Sequence, residues 1–191
     1  MKVLTLNDNQ FKTLCSELSD SIASSGFHPD VIIGIINGGA YVAREIAIKF
    51  PQARLFNVEI SRKTKKAKNN SLVQTIFSII PIPMLNAMRI IESHIARLRK
   101  NTIRYGTIAV PDNIAEMMHQ TDCNLLIIDD AIDTGATMMK IVAELSAEFP
   151  NCSIRTAVIT TTTEHPSIIA DYSLYHNNTL IRFPWSIDAR T

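Results

Sequence analysis

Leu125-Leu126-Ile127-Ile128-Asp129-Asp130-Ala131-Ile132-Asp133-Thr134-Gly135-Ala136-Thr137-Met138 is the stretch from which the rest of this 191-residue chain is best read. Its four consecutive apolar residues are short and do not alternate with polar ones, which is the pattern of a strand buried on both faces of a parallel sheet. The carboxyl end of such a strand opens into the crevice where α/β sheets bind ligands, and here it delivers two adjacent acids, Asp129 and Asp130. Thr134-Gly135-Ala136-Thr137 follows at a helix start, with small residues, two hydroxyls and uncommitted backbone N–H groups. That is a cradle for an anion, phosphate above all. Acids suited to hydroxyls or a cation thus stand beside a nest suited to phosphate, and a sugar phosphate satisfies both. A capped strand–helix turn needs only one Asp or Thr and leaves three acids unexplained.

Working outward, the same alternation recurs. Upstream, Val31–Ile36 is a β-branched run expected as a buried strand; it enters Asn37-Gly38-Gly39, with a helix expected over about Ala40–Phe50, stopped by Pro51. Before it, Phe11, Leu14, Cys15, Leu18 and Ile22 lie at one-face helical spacing, with Asn7 or Asp8 as cap and Gly26 as stop. Leu55–Ile60 reads as another strand. Thr107–Val110 is expected as a short one, followed by a helix with Pro111 as its first residue. Downstream, Met138, Ile141, Val142, Leu145 and Phe149 stripe a helix ended by Pro150, and Ile154–Thr160 is strand-like. The tail from Tyr172 to Trp185 alternates too weakly to assign. Strands alternating with helices predict an α/β fold with a mostly parallel, Rossmann-like sheet covered by helices on both faces.

Apolar residues make up 46 % of the chain and charged residues 19 %, which excludes a disordered, collagen-like or low-complexity protein. Cys15, Cys123 and Cys152 are odd in number and lack CxxC or CxxH spacing, so the reading is reduced thiols without a disulfide framework or zinc site. The five histidines show no ligand spacing. The first residues carry no leader pattern and no long apolar run occurs, so the expectation is a cytoplasmic protein without a membrane span. A formal net charge of +1 conceals an asymmetry: residues 61–104 hold ten basic residues and one acid, and the remainder is acidic by eight charges. That split marks an insertion or interaction arm.

Leu125–Met138 resembles the signature of the type I phosphoribosyltransferases, which use 5-phosphoribosyl-1-pyrophosphate (PRPP). Asp30–Ala40, a strand entering a Gly-Gly turn and then a helix, is similar to that family's pyrophosphate loop. The tail, with Asp171-Tyr172 and Pro184-Trp185, resembles the xanthine-guanine/hypoxanthine type of bacterial purine enzymes. The likeness covers residues 7–61 and 111–188. It implies one phosphoribosyltransferase domain over 1–191, with a hood and an enlarged basic helical insertion at about 61–106.

What the resemblance implies for chemistry is transfer of phosphoribose from PRPP to a nucleobase, most readily a purine, giving a nucleoside 5′-monophosphate and pyrophosphate. Asp129 and Asp130 would hold the ribose hydroxyls, with Asp130 also at the Mg2+ of Mg-PRPP. Asp133 would be the general acid/base at the acceptor and, with Thr134, Gly135, Ala136 and Thr137, would line the 5′-phosphate site. Asn37, Gly38 and Gly39 would face pyrophosphate, and Ile132, Thr162, Leu180 and Ile181 the base. The sequence departs from the purine enzymes in three places. Asn37 stands where Arg or Lys is common, no Lys follows the strand ending in Thr160, and Leu180 or Ile181 replaces a stacking aromatic. Trp185 reads as a core or dimer residue, and the family implies a homodimer or homotetramer.

The basic segment keeps several readings open. Arg62–Lys68 is a lid over pyrophosphate, a contact for nucleic acid or an acidic partner, or a solvated loop. Met84, Met88, Ile91, Ile95 and Leu98 stripe an expected helix over about Leu85–Lys100, which packs on the domain or a second subunit, or meets a membrane surface or partner groove. The rival to an enzyme is a non-catalytic regulator that binds PRPP or a nucleotide and uses this insertion on nucleic acid or a protein.

Overall fold

The computed structural model describes residues 2–59, 108–176 and 179–186. The basic segment, including Arg62–Lys68 and the expected Leu85–Lys100 helix, lies outside them. Within them the order is β1 (Lys2–Thr5), α1 (Asp8–Ser24), β2 (Val31–Ile35), α2 (Gly38–Ala47), β3 (Arg54–Val58), α3 (Asp112–Gln120), β4 (Cys123–Ile132), α4 (Ala136–Glu148), β5 (Cys152–Thr161), β6 (Tyr172–His176) and β7 (Thr179–Arg182). Five strands form one wholly parallel sheet in the order β3-β2-β4-β5-β6, and β1 pairs with β7 in a separate parallel ribbon.

The continuous apolar runs now have their cause. Along β2, Val31, Ile33 and Ile35 enter the core layer under α3 and α4, whereas Ile32 enters the layer under α1 and α2. Along β4, Leu125 and Ile127 enter the first layer, Leu126 and Ile128 the second. A sheet with helices on both faces leaves neither side of its central strands for polar residues. The helices follow their local signals. Asn7 caps α1 in a reciprocal box, its side chain accepting from the Gln10 N–H at 2.9 Å while Gln10 accepts from the Asn7 N–H at 3.0 Å. Gly26, at φ 80°, turns the chain out of α1.

Four expectations need correction. Ile108–Val110 form no strand: the Ile108 side chain is buried in the core, but its backbone joins no sheet among the described residues. Pro111 caps α3 from an extended conformation rather than opening the helix, its carbonyl accepting from Ile114 and Ala115. Helix α2 starts at Gly38 and ends at Ala47, so the Gly pair belongs to its first turn. Finally, Cys123 and Cys152 are joined by a disulfide. They open the adjacent strands β4 and β5 as directly opposed residues with Cα atoms 4.7 Å apart, a pairing that a separation of 29 residues hides from any motif search. Cys15 stays a free thiol on the buried face of α1, and burial, with a lesser push from Glu45, raises its pKa to about 12.

Candidate active site at the switch point of the sheet

From β2 the chain moves outward to β3, and it later returns to the other side of β2 as β4. The carboxyl ends of β2 and β4 therefore flank the point where the winding reverses, which is where open α/β sheets bind ligands. Both sequence motifs arrive there, one after each strand.

Strand β4 runs two residues past the acids, because Ala131 and Ile132 still pair with Thr160 and Thr161 of β5. Asp129 and Asp130 thus project from the last ordered part of the sheet, half-buried, with an Asp129 oxygen accepting from the Asp130 N–H at 2.9 Å. The α2 turn closes over them. The Ile36–Asn37 peptide is cis. A Cβ on Gly38 would overlap the Asp130 carboxyl, and one on Gly39 would come within 2.5 Å of the Ile128 carbonyl and 2.8 Å of the Asp129 Cα. Only residues without side chains permit this contact between the start of α2 and the acids. Burial pushes the Asp130 carboxyl above its ordinary range, against hydrogen bonds from Asp129 and the Ala131 backbone that act the other way. Asn37 is exposed at the head of α2, its side chain making no cap bond.

The second turn departs from β4 through Asp133 and Thr134. Gly135 holds φ 80° at the N-terminus of α4, and a Cβ there would also lie 3.0 Å from the backbone nitrogens of Ser167 and Ile168. The Thr134 carbonyl accepts from Ser167 N–H at 2.8 Å, so the loop after β5 backs the turn. Thr134 is exposed, Ala136 and Thr137 are half-buried, and the Thr134 hydroxyl accepts from the Ala136 N–H at 3.4 Å. The N-cap of the 13-residue α4, Gly135, has no side chain to cap it, so the helix's next N–H groups and dipole end face this turn.

Asp133 is held from β5. The Thr162 hydroxyl donates to Asp133 Oδ1 at 2.9 Å, and the Thr162 N–H donates to the Ile132 carbonyl at 2.9 Å. This partnership, across 29 residues, had no sequence signal. The residues expected at the base are all buried. Ile132 lies in the core with Ile35 and Val58, Thr162 is 8 % exposed, and Leu180 and Ile181 are buried in β7, Ile181 beside Phe11 and Phe183. Strand β7 reaches β5 where the Thr160 hydroxyl donates to the Thr179 carbonyl at 3.1 Å. Trp185 is a packing residue, stacked on Phe183 and on Tyr41 of α2 with centroids 4.8 and 4.7 Å away. Asp171 clamps the other end of β5, accepting from the Thr156 N–H, the Thr156 hydroxyl and Arg155.

Asp129 and Asp130 also bear on magnesium. Among the described residues no group of three or more His, Cys, Asp or Glu gathers as a complete metal site. Two adjacent strand-end carboxylates are the partial set that Mg2+ uses when phosphate oxygens and water complete its shell. The residues therefore fit that ion, and Asp130, with Asp129 beside it, would hold it.

A family model described as the phosphoribosyl transferase domain matches residues 3–187, nearly the whole chain. The chain belongs to the phosphoribosyltransferase family. The activity class that goes with this phosphoribosyltransferase is PRPP-dependent pentosyl transfer. Its fold is that of several solved structures. A purine phosphoribosyltransferase from Pyrococcus horikoshii Ot3 is 19 % identical, with a TM-score of 0.62 over 97 % of this chain and 95 % of the other. The xanthine-guanine-hypoxanthine phosphoribosyltransferase of Helicobacter pylori is 12 % identical, TM-score 0.64, over 97 % and 95 %. A hypothetical protein from Neisseria gonorrhoeae, solved with bound ppGpp, is 16 % identical, TM-score 0.64, over 96 % and 89 %. No curated protein matches the sequence significantly. No helix among the described residues is long and apolar enough to cross a membrane.

Proposed function

We propose that this phosphoribosyltransferase transfers the 5-phosphoribosyl group of Mg-PRPP to a nitrogen of a purine-type base, releasing pyrophosphate and a nucleoside 5′-monophosphate. The observation that carries the reading is the meeting of Gly38 and Gly39 with Asp130 and Asp129. A helix N-terminus suited to a phosphate group thereby stands against a pair of carboxylates suited to sugar hydroxyls. Purine is the acceptor class of two enzymes with this fold.

The residues divide the work by chemistry. Asp129 and Asp130 accept hydrogen bonds from the ribose hydroxyls. The opening N–H groups of α4 and the Thr134 and Thr137 hydroxyls hold the 5′-phosphate, which fixes the far end of the sugar. The N–H groups of Asn37, Gly38 and Gly39 receive the pyrophosphate, whose negative charge grows as its bond to the anomeric carbon breaks; donors fixed in advance favour that charged state. Magnesium, held through Asp130 and Asp129, would supply further charge neutralisation on those oxygens. The positive charge developing on the sugar ring is stabilised by the nearby carboxylates. Asp133 accepts the proton that the attacking base nitrogen must lose.

The test is pyrophosphate release from Mg-PRPP against a panel of purine, pyrimidine and nicotinate-type bases. Turnover with a purine, reduced about 100-fold or more in Asp133→Asn, is the expected result. Silence across the panel, despite measurable PRPP binding, would overturn the transfer reading and favour a regulator that binds PRPP without using it.

A further inference from the structure

We infer that Thr162 is a positioning residue that sets the carboxylate of Asp133 for proton transfer, rather than a reader of the base. The inference rests on the role proposed for Asp133. Asp133 lies just beyond β4, on the turn that leads into α4. Thr162 sits one residue beyond β5, where the register Ile132↔Thr161 brings it alongside. Its N–H donates to the Ile132 carbonyl at 2.9 Å, and its hydroxyl to Asp133 Oδ1 at 2.9 Å. The first extends the strand pairing by one step and fixes the Thr162 backbone against the turn. The second transmits that fixity to the carboxylate.

A threonine hydroxyl has a single proton to donate. The Ile132 carbonyl is a second possible acceptor at the longer distance of 3.5 Å, so the carboxylate oxygen of Asp133 at 2.9 Å takes the proton. With that proton committed, Thr162 cannot also donate to an oxo group on the acceptor. Burial strengthens the arrangement: Thr162 is 8 % exposed, so water competes little for its hydroxyl. The β-branched side chain adds a restricted χ1, so the hydroxyl has few alternative directions. The position therefore serves acid–base geometry, and selection of the base falls to other residues.

Thr162→Val keeps the shape and removes the hydroxyl; Thr162→Ser keeps the hydroxyl. If Thr162 positions Asp133, kcat falls roughly tenfold or more in Thr162→Val, the KM values for PRPP and base stay within about twofold, and Thr162→Ser recovers most of the rate. In an Asp133→Asn background the Val substitution should cost nothing further, because there is no longer a carboxylate to orient. A rise in KM for the base with kcat intact would overturn the inference and make Thr162 a base contact. Equal losses in Val and Ser, additive with Asp133→Asn, would overturn it in favour of packing alone. The Asp133 carboxyl carbon resonance judges the same point without turnover: it should move in Thr162→Val and return in Thr162→Ser. A wild-type enzyme silent with every base would remove the transfer reading, while this resonance would still decide whether Thr162 governs Asp133.

Discussion

Gly38 and Asp130 occupy space that a single added carbon would make them contest: a Cβ on Gly38 would fall within the Asp130 carboxyl group. The contact ties the α2 turn to the strand that leads into the second turn, since Gly38 opens α2 and Asp130 follows the buried run Leu125–Ile128 of β4. Gly38→Ala should push the carboxylate out of its place or tilt α2 away from it. Overpacking of this kind costs about 1–3 kcal/mol of stability. The expected larger effect is on ligand: calorimetric titration with Mg-PRPP should show affinity lower by at least tenfold. Wild-type affinity in a folded Gly38→Ala protein would show that the acids and the α2 turn do not share a ligand.

Gly135 faces a different demand. Its φ of 80° strains any residue with a side chain, and the nitrogens of Ser167 and Ile168 crowd the space a Cβ would take. Gly135→Ala should therefore cost about 1–3 kcal/mol, which for a chain of this size lowers the melting temperature by roughly 2–4 °C per kcal/mol. The N–H groups of α4 would turn with it. Binding of a nucleoside 5′-monophosphate should weaken more than binding of the same nucleoside, because only the phosphate uses the cradle. Equal losses for both ligands would remove the phosphate from this turn.

How much of this was legible beforehand follows from the range of each signal. Leu125–Ile128 and Val31–Ile35 announced themselves because burial on two faces writes an unbroken apolar run into adjacent residues. The two turns after them were legible for the same local reason, through small residues and acids in one short stretch. That the turns meet was not: it depends on β2 lying beside β4, a pairing across more than 90 residues. The carboxyl end of β4 was misplaced because its last two residues are strand only through pairing with β5. Strand β7 is four residues long and pairs with the other end of the chain, so periodicity had nothing to work on. Thr162 read as a base contact; its tie to Asp133 exists only in three dimensions.

The Cys123–Cys152 disulfide encloses β4, both acids, the Asp133–Thr137 turn and α4 in one loop of 29 residues' separation. Closing a loop of that length stabilises by about 3–4 kcal/mol through the entropy it removes from the unfolded chain. Thermal unfolding with and without a thiol reductant measures this: the reduced protein should melt lower, and a Cys123→Ser/Cys152→Ser double variant should melt like it and ignore the reductant. Cys15 should stay unalkylated in the native protein under both conditions, since burial holds its thiol protonated up to about pH 12. Identical melting of oxidised and reduced samples would mean that the bond contributes nothing to the fold.

Asp171 supplies a pH dependence whose sign can be worked out. Burial alone would raise its carboxyl pKa, but hydrogen bonds from Arg155 and from the side chain and backbone of Thr156, with the Arg155 charge, outweigh that and leave it below its ordinary value of 3.8. Between the lowered native value and 3.8, the unfolded chain binds the proton more readily than the folded one. Stability from this clamp is therefore complete above about pH 4 and is lost as the pH falls through the native value. The clamp joins the start of β6 to β5, with the Asp171 N–H returning a bond to the Thr156 hydroxyl at 3.0 Å. Asp171→Asn keeps the size and removes the charge. It should be less stable at pH 7, and its loss of stability between pH 4 and pH 2 should be shallower than that of the wild type. Denaturant unfolding across that range reads both quantities. Parallel curves for the two proteins would show that Asp171 titrates alike folded and unfolded, and the clamp would then carry no charge-dependent stability.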